Sequence, residues 1–266
     1  MSKAATVERD PFQPTQEIIQ ADPQPEQALA LLQDSPIAHF AVVRPDFTEQ
    51  MEAIEENLAG GGFTPYQFDR IKVPAGGSTT WEVPTPEGET EPVKELEVVI
   101  CLQRAVTKSY WPEGIEEGGN KPPTCFSMDG LMGVGDPGIA CGKCSHNEWG
   151  TGKNGAKACP DRRMLFLLRQ GSILPVLLLI PGGSAKNLDR YIRTTLSGMG
   201  CPYYGALTKL KLRAETNPQG IKYSQIVPQY AGRLPRPHAL AVKAYGLSLN
   251  QAMLQNTLPA AGGDLD

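Results

Sequence analysis

The chain has 266 residues, 40% of them hydrophobic, and carries 25 Lys or Arg against 29 Asp or Glu for a net charge of −4. That length and apolar content suffice for one large domain, or a domain with tails, around a real core. The longest apolar stretch, "MLFLL" followed by "ILPVLLLI", is broken by Arg169, Gln170 and Pro175 and falls short of the roughly 20 residues that a bilayer-spanning helix needs.

The charge is unevenly placed. Residues 1–60 hold eleven acids and three bases, a balance of −8, whereas residues 143–243 hold four acids and sixteen bases, a balance of +12. A basic half of this kind points to a polyanion partner, with a solvated basic surface as the plain alternative. The opening residues show no apolar segment and no small-residue cleavage site, so a cytoplasmic protein is expected. In that reducing compartment disulfides are disfavoured.

In chain order, residues 1–60 read as an acidic helical segment, with one helix starting at Asp46 and stopping at the glycines 60–62. From Phe63 the pattern alternates, and residues 63–111 are expected to form a β-meander that ends in the long strand "VKELEVVICLQRAVTKSYW". Residues 121–160 are rich in Gly, Pro and Asn and too poor in apolar side chains to fold on burial alone. "RRMLFLLRQG" and "ILPVLLLIPG" then read as strands. "SAKNLDRYIRTTLSGMG" reads as a helix with Ser184 as N-cap, and "ALTKLKLRAET-NPQG-IKYSQIVPQY" as a hairpin. Residues 236–266 supply a C-terminal helix and a short tail. The expected class is mainly β with a few helices (α+β). Five principal strands with a helix before the last hairpin predict an OB-like barrel over residues 61–235, interrupted at 121–160.

Four of the six cysteines explain that interruption. Cys125, Cys141, Cys144 and Cys159 are spaced as one cysteine, a Cys-x-x-Cys and one cysteine. Four thiolates make a closed tetrahedral site for structural Zn²⁺, whose binding energy would fold a segment without a core. His146 could replace one thiolate, most simply Cys125, and the same four thiolates could hold an iron–sulfur cluster. A thioredoxin-like role is disfavoured because "SHNEWGTG" will not form the helix that chemistry requires. Cys101 and Cys201 read as core residues.

Bases and aromatic rings interleave elsewhere. Tyr66 lies beside Arg70 and Lys72, and Tyr110 and Trp111 lie beside Arg104 and Lys108. Trp149, Lys153 and Lys157 sit in the cysteine segment, and Arg162 and Arg163 follow it. Single-strand binders stack bases on exposed rings while Lys and Arg track phosphates. Burial is the better reading for Phe68, whereas Trp111 and Trp149 stay open between burial and stacking. Lys209, Lys211 and Arg213 put further bases on one strand face, as a solvated edge strand also would. "GTGKNGAK" lacks the Ser or Thr after its lysine and the preceding strand that a P-loop needs. His39, His146 and His238 are far apart, the basic half has few carboxylates, and no hydrolase motif is present, so no enzyme is expected.

With "PPTCFSMDG", "GIACGKCSHNEWGTGKNGAKAC" and "RRMLFLLRQGSILPVLLLIP", the chain resembles single-stranded-DNA-binding proteins of phages and mobile elements that set a zinc ribbon in an OB-fold. The resemblance covers roughly residues 63–230. It implies a zinc-stabilised barrel that coats single strands without chemistry, in the host cytoplasm if phage-encoded, alongside replication or recombination proteins. RNA in place of DNA stays open. The alternative is a zinc-stapled protein-interaction module that binds no nucleic acid, and a DNA-cleaving enzyme is a weaker third.

Overall fold

The computed structural model describes residues 48–57, 64–85, 87–114 and 121–257. In chain order its elements begin with helix α1 (Thr48–Asn57), β1 (Arg70–Ile71), β2 (Trp81–Pro84), β3 (Thr90–Val93) and β4 (Glu95–Tyr110). There follow β5 (Cys125–Ser127), β6 (Val134–Gly135), β7 (Asp161–Leu168), β8 (Val176–Ile180) and α2 (Gly182–Arg190). The last are β9 (Ala206–Thr216), β10 (Lys222–Arg233) and α3 (Arg236–Thr257). The chain is mainly β with few helices among the described residues.

β4 organises the sheet. One edge pairs antiparallel with β7, while the other is divided, with Glu95–Val99 on β9 and Lys108–Tyr110 on β5. β8 and then β1 continue beyond β7, the β1–β8 pair being parallel. β10 continues beyond β9, and β6 beyond β5. The sheet curls far enough for Ala75, just past β1, to bridge Tyr223 on β10.

Alternating side chains place a core on each face of this sheet. Leu165, Leu167, Val176, Leu178 and Ile180 point inward with Trp81, Leu96, Val98 and Leu210. Met164, Phe166, Leu168, Leu177 and Leu179 point to the other side with Val99 and Tyr245. Two-sided burial is why β7 and β8 read as unbroken apolar runs. β4 departs from strict alternation because its register with β7 slips between Ile100 and Leu102. The bulge puts Cys101 and Leu102 in one cluster.

α2 lies against β10 on the inner side. Ser184 was expected to cap this helix, but the cap position is Pro181. Ser184 is instead buried within α2, and its Oγ accepts the Ile226 N–H at 2.9 Å. The chain continues through a π-helical turn, Tyr191–Leu196, and stops at Gly200. α3 lays Val242, Tyr245, Leu249 and Met253 on the outer face of the sheet, a stripe of helical spacing. At Gly246 the helix touches the strand backbone, since a Cβ there would overlap the Cys101 carbonyl.

Most of the expected N-terminal segment, including Asp46, lies outside the described residues. Of it the structure describes α1, whose Ile54 is buried in the outer cluster.

Candidate metal centre and nucleic-acid interface

The connection from β4 to β7 carries the cysteine segment. Cys125 opens β5, where it pairs with Tyr110 of β4 and Gly135 of β6. Cys141 begins a one-turn 3₁₀ helix, Cys141–Lys143, and the Cys144 N–H donates to the Cys141 carbonyl at 3.4 Å. A second turn, Ser145–Asn147, follows, and the Cys159 N–H donates to the His146 carbonyl at 2.8 Å. These turns bring Cys125, Cys141, Cys144 and Cys159 to the wall of one cavity of about 20 Å³. Cys144 is half-buried and the other three are buried. A Cβ at Gly133 would lie 2.8 Å from the Cys125 Sγ, so only glycine leaves that sulfur its room.

The four sulfurs are near enough to feel one another's charge. As placed, no three His, Cys, Asp or Glu side chains among the described residues stand close enough to hold a metal ion. The thiols line a common cavity, and ligation at about 2.3 Å would require them to draw in around an ion. Burial pushes the Cys159 thiol up to about 11, with the Lys108 ammonium the largest opposing influence. Burial likewise raises Cys125.

Sequence reasoning did not foresee the polar groups around these thiols. Lys108 is 5% exposed and lines the cavity. Its Nζ meets Asp161 at 2.5 Å and donates to the Asn147 Oδ1 at 2.8 Å. Asn147 also accepts from the Lys157 Nζ at 3.1 Å, and its own Nδ2 donates to the Cys141 carbonyl at 3.0 Å. His146 stacks on Tyr110 with ring centroids 4.0 Å apart. His146 lines the same cavity as all four cysteines.

The expected nucleic-acid contacts separate into two groups. Tyr66 and Trp111 are core residues, not surface stackers, and their rings meet edge to face at 5.8 Å. Arg70 is buried over the Trp111 ring, and Lys108 faces thiols, not solvent. Tyr110 is half-buried under His146, Arg104 is half-buried against Asn250, and Arg163 pairs with Asp189 at 2.6 Å. Trp149 is different, being 78% exposed with the Lys157 Nζ 5.7 Å from its ring centroid. Lys72 and Lys153 are exposed, and Lys157 and Arg162 half-buried.

The β9 stripe is neutralised across the sheet, with Lys209 on Glu95 and Glu97 and Lys211 on Glu95. Arg213 pairs with Glu215. Cys101 and Cys201 are buried in opposite clusters, and burial pushes the Cys101 thiol up to about 12.

Among the described residues no helix is long and apolar enough to cross a membrane. Comparison with protein-family models, curated proteins and solved structures finds no match for this chain.

Proposed function

We propose that the chain is a single-stranded nucleic-acid-binding protein of the replication or recombination accessory type, an OB-like barrel whose binding surface is its cysteine segment. The strand pairings support the barrel reading. β4, β7, β8, β9 and β10 pair first to second, second to third, first to fourth and fourth to fifth. α2 lies between the third and fourth strands, as a five-stranded Greek-key barrel of this kind requires. The cysteine segment then occupies the loop between the first two barrel strands. That loop is one of two through which such barrels reach oligonucleotides.

The outer-face side chains of β7 and β8 are buried in the cluster that α3 joins, which moves the proposed contact onto the loop. Zn²⁺ held by Cys125, Cys141, Cys144 and Cys159 would supply folding energy to that loop and no reaction.

The observation that carries the reading is Trp149. At 78% its ring is the most exposed large hydrophobic side chain among the described residues. Here it stands in a lysine-bearing segment with Lys157 on its face, the pairing that holds a stacked base and its phosphate. Trp81 and Trp111 are buried, so quenching of tryptophan emission reports on Trp149.

The test is titration of the full chain into fluorescent oligo-dT at about 50 and 200 mM salt, where counterion release weakens phosphate binding steeply. Salt-sensitive binding that quenches emission, and that weakens about 5- to 150-fold in Trp149→Ala, is the expected result; one stacked base contributes about 1–3 kcal/mol. Affinity indifferent to salt, or unchanged in Trp149→Ala, overturns it. Leu131 and Met132, both more than half exposed in the same segment, favour a protein-docking module as the second reading. Zinc uptake without oligonucleotide binding would select that one.

A further inference from the structure

We propose that Lys108 is the internal counter-charge of the four-thiolate centre, a positioning residue that sets how tightly the centre holds Zn²⁺. The inference rests on the zinc reading above and adds to it a residue outside the ligand set. Zn²⁺ on four thiolates is a dianion. An ion of that charge among mostly buried side chains needs compensating positive charge close by, because the protein interior solvates it poorly.

Lys108 stands where that charge is needed. It comes from the middle of the sheet, on β4 opposite both Ser127 and Asp161. It is 5% exposed, and it lines the cavity shared by all four cysteines. Its carboxylate partner Asp161, at 2.5 Å, is more than half exposed, so water weakens that partner's claim on the buried ammonium. Asn147 takes a second Lys108 proton on Oδ1 and also binds Lys157. Its Nδ2 holds the carbonyl of Cys141, so the same side chain gathers two cations and a cysteine backbone at one wall. Groups outside a metal's ligand set that fix its ligands typically change affinity about 10- to 100-fold when removed.

A buried lysine paired to an aspartate could also be a simple structural ion pair, and two substitutions separate the cases by sign. Lys108→Met removes the cation. Asp161→Asn leaves the cation and removes a negative charge beside the proposed dianion. Zinc affinity of the full chain is read by competition with a chromophoric chelator, with circular dichroism of each variant as the check on folding.

The expected result is a loss of about 10- to 100-fold in Lys108→Met, with Asp161→Asn equal to or tighter than the unsubstituted chain. Equal weakening by both substitutions makes the pair structural and overturns the proposal, as does a Lys108→Met affinity equal to that of the unsubstituted chain. If Lys108→Met does not fold, Lys108→Arg and Asp161→Asn decide. Unweakened binding in both upholds the proposal, and weakened binding in Asp161→Asn overturns it. An unsubstituted chain that takes up no zinc removes the metal reading itself, a failure distinct from all of these.

Discussion

His238 is an acid-sensitive point in the fold. It is 2% exposed, and its Nδ1 is buried without a hydrogen-bond partner among the described residues. Burial lowers its proton affinity below the ordinary value of 6.5. The folded ring therefore stays neutral over a range in which the unfolded chain already binds a proton. Stability is full above about pH 6.5, falls as pH drops from there toward the lowered folded value, and is flat with respect to this group below it. His238→Leu should lose less stability than the unsubstituted chain in urea melts between about pH 7.5 and 5; parallel pH profiles would mean the ring is not the sensor. Residue-level fates like this one are poorly legible in sequence. "YQFDRIKV" has the same alternation whether Tyr66 meets a base or, as found, Trp111 and Phe126. Lys108 reads as a phosphate contact until Asp161 and Asn147 are seen beside it.

At the scale of elements, the join between α3 and β4 is the tightest test of packing. A mid-helix glycine costs about 1 kcal/mol relative to alanine in propensity, yet Gly246 sits where a methyl would overlap the Cys101 carbonyl. Gly246→Ala should therefore destabilise despite its better propensity, by about 1–3 kcal/mol as overpacked cores do, lowering the urea midpoint; an unchanged or higher midpoint would mean the helix can lift away at little cost. The strands β4, β7 and β8 and the β9–β10 hairpin were legible because two-sided burial and turn residues leave strong local patterns. The cap of α2 was not, because Ser184 follows the glycines as an N-cap would. Its hydroxyl is engaged instead by β10, a strand 42 residues away in sequence. The lysine stripe on β9 was ambiguous for the same reason, since Glu95 and Glu97 reach it from β4 across the sheet.

For the whole molecule, the two core clusters and the cysteine segment rest on different physics. The clusters unite β4, β7, β8, β9 and the helices through buried apolar side chains. The segment joins the outer one through Phe126 and Met128, in the cluster that also holds Trp111 just past β4. Beyond Met128, residues 129–160 contribute no side chain to either cluster among the described residues. Their order comes from backbone turns and from whatever draws the four thiols together. Burial energy scales with apolar area removed from water, so the two clusters do not need the segment. The segment has little apolar area to fold it, and on the proposed zinc reading a bound ion supplies that energy. Chelating the metal from the full chain should therefore speed amide hydrogen exchange across residues 129–160 while β7 and β8 stay protected, because exchange reports local opening separately from global unfolding. Exchange that rises everywhere at once would make the centre a keystone of the barrel. Exchange that rises nowhere would leave the turns self-sufficient and deprive the four thiols of a structural role.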